Sequence, residues 1–317
     1  MSANAFPINP ELTSIAMAYR NPAVALIADK VLPRVPVAKQ FKYTVYSAEQ
    51  GYTLPDTKVG RKSQPNEVEF FGTLVQGETL DWGLDDIVPI DDIQAWEKML
   101  KPASGGPMNP LAISTMFLEG LIQLDREVRV ANLVFNSATY PAANVTTLSG
   151  TSKWSDFVNS NPLLDIMTAL DKPLQRPRQV VFGQQVWTTI RQNPKFVQAV
   201  YGTAQTYGVV DKKALADKLE VEEVIVGAGW VNTARKGQAP NYQRVWGNST
   251  ALLYNDPMAA QALQPTFGFT GQFGNKVAGT LPEPKMGLSG SERVRVGEKV
   301  IEVVAAGALG ALFQNCV

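Results

Sequence analysis

Asn109-Pro-Leu-Ala-Ile-Ser-Thr-Met-Phe-Leu-Glu-Gly-Leu-Ile-Gln-Leu-Asp-Arg-Glu-Val-Arg-Val-Ala-Asn-Leu-Val-Phe-Asn136 is the stretch on which the fold turns. It reads as one uninterrupted helix over 109–136, capped by Asn109, with Pro110 in the first turn, where its missing N–H costs nothing. Phe117, Leu121, Leu124, Val128, Ala131 and Phe135 recur at alternating spacings of four and three and form one expected apolar stripe. Glu119, Gln123 and Arg126 lie off that stripe, and Asp125/Arg129 is an i,i+4 pair in the favourable order. At 1.5 Å per residue such a helix is roughly 40 Å long, long enough to act as the spine of an elongated subunit.

Working outward, the two sides of this helix differ in character. The N-terminal third holds only short extended runs, Phe41-Lys-Tyr-Thr-Val-Tyr46, Glu67-Val-Glu-Phe-Phe71 and Thr73-Leu-Val75, around a polar tip, Pro55-Asp-Thr-Lys-Val-Gly-Arg-Lys-Ser-Gln-Pro65. A lone two-stranded hairpin is marginal in water, so this region is expected to complete itself on other molecules. Before it, short helices are expected over 10–19 and 21–32. After it comes an acidic passage, 81–92, a short helix over 94–100 and a Ser104-Gly-Gly-Pro107 break. Beyond Trp154 the pattern is α/β. Helices are expected at 163–170, 185–200 and 212–219. Strands are expected at 179–182, 223–226, 244–246, 251–254, 267–273, 292–296 and 300–304.

The chain has 317 residues, of which 45% are hydrophobic and 18% charged, with 29 Lys+Arg against 29 Asp+Glu and no histidine. Charge balance argues against a sequence-independent nucleic-acid binder, which needs a basic surplus to displace counterions. The lack of histidine removes the commonest general base and metal ligand. The single cysteine, Cys316, permits neither an intramolecular disulfide nor a paired-cysteine zinc site. No signal peptide or membrane-spanning run is read, so a protein made in the cytoplasm is expected, with no membrane partner. Gly227-Ala-Gly229-Trp-Val-Asn232 begins like a dinucleotide fingerprint but lacks the third glycine and the following helix; a turn after a strand is the better account. No cofactor, metal site or catalytic constellation is expected.

Several segments, taken in order, resemble the major capsid proteins of tailed bacteriophages, the Hong Kong 97 fold, and most of all the head proteins of Mu-like transposable phages. They are Tyr19-Arg-Asn-Pro22, Ile27-Ala-Asp-Lys-Val-Leu-Pro-Arg-Val-Pro-Val37, 55–70, Gly83-Leu-Asp-Asp86, Leu124-Asp-Arg-Glu-Val-Arg-Val130, Gly229-Trp-Val-Asn-Thr-Ala-Arg-Lys-Gly237 and Arg293-Val-Arg-Val-Gly-Glu298. The resemblance implies an α+β fold with an N-terminal arm (1–40), an extended β-hairpin loop (41–80) and a peripheral domain with the spine helix (81–155). An axial α/β domain (156–280) and a C-terminal return to the peripheral domain (281–317) complete it. It further implies self-assembly into pentamers and hexamers of an icosahedral head, around double-stranded DNA held without sequence-specific binding. A portal at one vertex and a decoration protein join the candidate partners. Because the arm begins at Met1, scaffolding and protease functions are expected from separate proteins. The protein is expected in the host cytoplasm before assembly and in the virion after it.

Some family members cross-link a loop lysine to a neighbour; Lys58 and Lys62 lie in that region, but no acidic catalyst or asparagine partner is identified and no cross-link is expected. Instead, the tip cations Lys58, Arg61 and Lys62 are expected to meet Asp81, Asp85, Asp86, Asp91 and Asp92 across a subunit interface. Two other readings stay open: an encapsulin-type compartment of the same fold, and a cytoplasmic α/β enzyme.

Overall fold

The computed structural model describes residues 26–46, 52–69, 71–99, 109–202, 207–256 and 265–317. The expected helix over 10–19 and the break over 104–107 lie outside these residues.

In chain order the regular elements begin with the short helix α1 (Ala28–Val31) and strands β1 (Arg34–Pro36), β2 (Gln40–Tyr46), β3 (Gly72–Glu78) and β4 (Leu80–Pro89). Helices α2 (Ile90–Met99) and α3 (Pro110–Val134) follow, then β5 (Val145–Thr147), α4 (Pro162–Leu170), β6 (Gln179–Gly183), α5 (Gln184–Ile190), α6 (Pro194–Tyr201) and α7 (Lys212–Leu219). The rest are strands: β7 (Glu223–Gly227), β8 (Trp230–Asn232), β9 (Tyr242–Arg244), β10 (Thr250–Leu253), β11 (Gly268–Gln272), β12 (Val277–Glu283), β13 (Ser291–Val304) and β14 (Gly310–Gln314).

Two five-stranded sheets organise the molecule. The first has the order β5-β14-β10-β6-β7, with β6/β7 and β5/β14 parallel. Its central strands β6 and β10 read as near-continuous apolar runs because both faces are covered, as buried sheets require. Alternate residues serve two cores. Val180, Phe182, Val224, Val226 and Leu252 point into a core closed by α4, α5, α6 and α7, with Trp154, Trp187 and Phe196 as its bulk. Val181, Ile225, Ala251 and Leu253 point to the opposite side, onto Val130, Ala131 and Val134 of α3 and the root of the arm, Ile27–Leu32. The helix expected over 185–200 is two helices, because Pro194 cannot continue the first and instead opens α6 behind an Asn193 cap that accepts from Lys195 N.

The second sheet runs β1-β11-β13-β12, with β4 also paired to β13. The two strands expected at 292–296 and 300–304 are one fourteen-residue strand, because β4 pairs with it continuously from Ser291↔Pro89 to Val300↔Leu80. The acidic passage is therefore strand as far as Pro89 and opens α2 from Ile90. Gly83 lies opposite Gly297, where a Cβ on Gly297 would stand 2.8 Å from the Trp82 carbonyl oxygen, so the ladder closes here only around glycine.

Sheet membership departs from the expected boundaries. β11, within the stretch expected to be axial, and β12, which crosses its expected end at 280, pair in the sheet of β4 and β13, while β14, expected in the C-terminal return, lies between β5 and β10 of the other sheet. Pairing partners far apart in sequence decide this, and local patterning does not record them.

Helix α3 joins the two sheets. Leu118 and Ile122 pack with Val88, Ala278, Val294 and Val296 on the second sheet, whereas Val130, Ala131 and Val134 pack on the back of the first. Its buried face is only partly the expected stripe, of which Ala131 and Phe135 pack in the core. Phe117 and Leu121 are exposed, at 70% and 54%, and the buried residues include Glu119, Arg126 and Glu127. Apolar residues occur all round this helix, so two frames one residue apart both look amphipathic. The frame that wins also buries three charges, each supplied with partners.

A candidate assembly interface

The extended loop is a hairpin of β2 and β3, in register from Gln40↔Glu78 to Tyr46↔Gly72. The second strand takes in the expected run at 73–75, whereas 67–71 is not its paired part. Its base is anchored: Phe41 packs under Gly77, and Phe41 and Tyr43 stack with each other and against Phe269 of β11. Beyond the paired region, residues 52–69 are exposed throughout, with Leu54 at 90% and Val68 at 52%. Within the tip, local hydrogen bonds set the shape. Lys58 N donates to Asp56 Oδ1 at 3.0 Å, Asn66 Nδ2 to the Asp56 carbonyl at 2.8 Å and Ser63 N to the Gly60 carbonyl at 3.0 Å. The side chains of Lys58, Arg61 and Lys62 make no ion pair among the described residues.

The five carboxylates separate into three groups. Asp81 and Asp85 share a face of the β4/β13 ladder with Lys299, Arg295 and Arg293, since directly opposed residues project to the same side. Asp85 accepts from Arg295 Nε and Nη2, both at 2.7 Å, and from Arg293 Nη1 at 3.3 Å; Asp81 lies 3.6 Å from Lys299 Nζ. The hydrogen bonds from Arg295, with Arg293 adding to them, hold the Asp85 carboxyl below its ordinary value. Asp86 faces the other way and accepts from Ser114 Oγ of α3 at 2.7 Å. Asp91 and Asp92 stand exposed in the first turn of α2, where negative charge suits the helix dipole. The tip cations and these acids are not brought together within one chain among the described residues.

A second cluster was not read from the sequence. Glu127 of α3 is fully buried and accepts from Ile27 N (2.8 Å), Ala28 N (2.7 Å) and Trp246 Nε1 (2.5 Å), tying the arm root, the spine helix and the loop after β9 to one carboxylate. Burial pushes the Glu127 carboxyl up, against the lowering effect of these N–H donors. Beside it, Asp29 bridges Arg126 and Arg34, Arg34 reaches Glu298 at 2.8 Å, and Arg126 Nη2 donates to Thr270 Oγ1 at 2.9 Å. Burial raises the Asp29 carboxyl, but the two guanidiniums outweigh it and hold it low. Lys276 pairs with buried Glu119. Such residues carry no mark in a sequence except charge placed on the apolar side of a helix, and the misassigned stripe hid that mark.

The exposed side of α3 presents Ile113, Phe117 and Leu121 in an i, i+4, i+8 row. The surface therefore combines an apolar helix row, a rooted hairpin and an unpaired basic tip. Such surfaces mark contact sites more than chemistry. Among the described residues there is no group of three or more candidate metal ligands, and no helix is long and apolar enough to cross a membrane.

No family model matches the chain. It is 48% identical to the major capsid protein of Pseudomonas phage JBD67 over all of its own length and 99% of that protein's. It is 24% identical to the major capsid protein of Burkholderia phage BcepMu, over 83% of this chain and 82% of the other. In three dimensions it matches the crystal structure of a phage-related protein from Bordetella bronchiseptica RB50. That match has a TM-score of 0.71 at 21% identity and covers 98% of both chains. The capsid structure of cyanophage P-SCSP1u shares the fold at a TM-score of 0.56 and 8% identity, over 99% of this chain and 92% of that one. With full-length identity at this level and an α+β fold of the Hong Kong 97 type, the chain belongs to the phage major capsid proteins, which are structural proteins and not enzymes.

Proposed function

We propose that this chain is the repeating subunit of an icosahedral phage head, assembling into pentamers and hexamers around double-stranded DNA that it confines without sequence-specific binding. Residues 1–40 serve as arm and 41–80 as the extended loop. The unit around β4, β13 and α3 is peripheral, and the unit around β6, β7 and β10 surrounds the capsomer axis. A separate scaffolding protein and protease, a portal at one vertex and a decoration protein complete the set of partners, and subunits wait in the host cytoplasm before they enter the virion.

The observation that carries this reading is the hairpin of β2 and β3. It is rooted by aromatic packing at its base yet exposed from 52 to 69, with Leu54 and Val68 in water. Such a limb gains its stability only when a neighbour covers it. In this reading Lys58, Arg61 and Lys62 pair across the interface, with Asp91 and Asp92 as the acids left free, while Asp81, Asp85 and Asp86 brace the sheet from which they project. The compartment and enzyme alternatives are not favoured by the family to which the chain belongs. Negative-stain imaging of the purified protein is the test. Closed shells of uniform size are expected, and a protein that stays monomeric at high concentration would refute the reading.

A further inference from the structure

The first glycine of the Gly227-Ala-Gly229-Trp motif is required by packing. A Cβ on Gly227 would stand 2.1 Å from the Trp246 ring, so that position is closed to any side chain, and the backbone lies against an indole. The chain then forms a separate two-stranded hairpin, β8 and β9, whose strands pair only with each other.

The tip of this hairpin is fixed. Asn232 Oδ1 accepts from Ala234 N (3.1 Å) and Asn241 N (2.9 Å), Thr233 N donates to the Asn241 carbonyl at 2.9 Å, and Gly237 takes a φ of 88°. Trp230 lies opposite Arg244 and Asn232 opposite Tyr242, so all four share one face. On that face the Arg244 guanidinium sits 3.9 Å from the centre of the Trp230 ring, anchored by its Nη1 to the Ala228 carbonyl at 2.6 Å. Trp230 and Tyr242 are nonetheless 46% and 64% exposed.

The charge is one-sided. From Val224 to Asn255 the sequence contains no Asp or Glu, while Arg235, Lys236 and Arg244 are all present. Arg235 and Lys236 make no ion pair among the described residues. Because the whole chain balances 29 cations with 29 anions, the compensating acid surplus lies elsewhere on the same chain. Glu67, Glu69, Glu78 and Glu97 are exposed and make no ion pair among the described residues.

We propose that the Trp230–Arg244 hairpin is a docking surface for a second copy of this chain, met at a different, acidic face. Tryptophan, tyrosine and arginine held rigid on one exposed face are the composition of an interface hot spot. A contact between unlike patches of identical chains is heterologous, and closes a ring when the rotation closes. The inference rests on the capsid-subunit reading and adds a contact separate from the extended loop.

Hydroxyl-radical footprinting of the wild-type protein, as free subunits and as assembled shells with and without DNA, tests it. Trp230 and Tyr242 should lose reactivity several-fold on assembly, in empty and filled shells alike. Arg235→Glu with Lys236→Glu should leave the melting of free subunits unchanged while weakening capsomer formation, read by native mass spectrometry. Shells that form with both aromatics as reactive as in free subunits would overturn this inference alone. Protection found only in DNA-filled shells would overturn it in favour of a nucleic-acid contact. Wild-type protein that never assembles would overturn the capsid-subunit reading, and this inference with it.

Discussion

The sheet of β6, β7 and β10 and the hairpin of β2 and β3 are both β-structure, yet they are held by opposite means. In the sheet of β6, β7 and β10 every strand has a neighbour on each edge or a helix on each face, and Phe182, Leu252 and Trp187 are excluded from water. In the loop, two strands pair only with each other and residues 52–69 beyond them are exposed. The first region closes its own core within one chain. The second has its ladder hydrogen bonds and an aromatic anchor at its base, but residues 52–69 beyond it are left exposed. A subunit built this way divides its sequence between residues that fold it and residues that assemble it, and substitutions in the two sets should separate cleanly.

The largest effect on folding belongs to the core. Trp187 is 4% exposed and packs with Phe182 at 6.0 Å between ring centroids. Trp187→Ala should destabilise the free subunit by about 3–5 kcal/mol, as large aromatic deletions in cores do. Chemical denaturation of the free subunit measures it, and an unchanged midpoint would remove the distinction between the two regions.

Next comes Glu127, where the arm meets both sheets. Glu127→Ala leaves the Ile27, Ala28 and Trp246 N–H donors without their acceptor, a loss of about 3 kcal/mol when each orphaned buried donor costs roughly 1–3 kcal/mol and some rehydrate. Glu127→Gln keeps an acceptor and removes the cost of a buried charge, so it should fall within about 1 kcal/mol of wild type. The sign with pH follows from burial. A carboxyl raised above its ordinary 4.5 takes up its proton in the native state at higher pH than in the unfolded chain. Its contribution to stability therefore grows as pH falls from that raised value toward 4.5 and is lost as pH rises again. The Gln variant should lack this trend.

Much of the sequence-local architecture was legible. Lys212–Leu219 is found at its expected bounds, and the spine helix begins one residue and ends two residues inside the expected 109–136. At the start of the spine helix local signals sufficed: an Asn cap and a proline at the first position. Three things were not legible. The strand Leu80–Pro89 is hidden within the acidic passage 81–92, although Leu80, Trp82, Leu84 and Val88 alternate, because its acids are matched by arginines some two hundred residues away. The buried face of α3 lies one residue off the expected stripe at Leu118 and Ile122 and rejoins it at Ala131. Glu127, Arg126 and Asp29 were passed over because a charge that is buried with partners cannot be told from a solvated one without the fold.

A smaller effect belongs to the braced acids. Asp85 is held low by Arg295 and Arg293, so its contribution is present above the ordinary 3.8 and is lost as pH falls through its depressed value. The pair is near the surface, and Asp85→Asn should cost no more than about 1 kcal/mol at neutral pH. The difference between variant and wild type should vanish in strong acid. A larger cost at neutral pH would place this face of the sheet among the elements that fold the chain.

The smallest effect on the fold should accompany the largest effect on assembly. Lys58, Arg61 and Lys62 cap a limb exposed along its whole length and contribute no ion pair to their own chain among the described residues. Arg61→Glu with Lys62→Glu should therefore leave the denaturation midpoint of the free subunit where it was. An exposed pair is worth only about 0–1 kcal/mol, but in a closed shell the same contact recurs at every subunit, so a term too small to fold a protein can decide whether a lattice closes. The double reversal should block closure. Reversing Asp91 and Asp92 to Lys in the same chain should restore part of it, because these acids are not used to brace the sheet, whereas reversing Asp85 should not. Raised salt should weaken the wild-type contact, since the screening length is about 8 Å at physiological ionic strength and shorter above it. Light scattering during assembly and negative-stain counts of closed shells separate the outcomes. Normal closure by the Arg61/Lys62 reversal would show that the basic tip does not bind a neighbour. Blocked closure that the Asp91/Asp92 reversal fails to relieve would keep the tip as an assembly element and move its partner off α2.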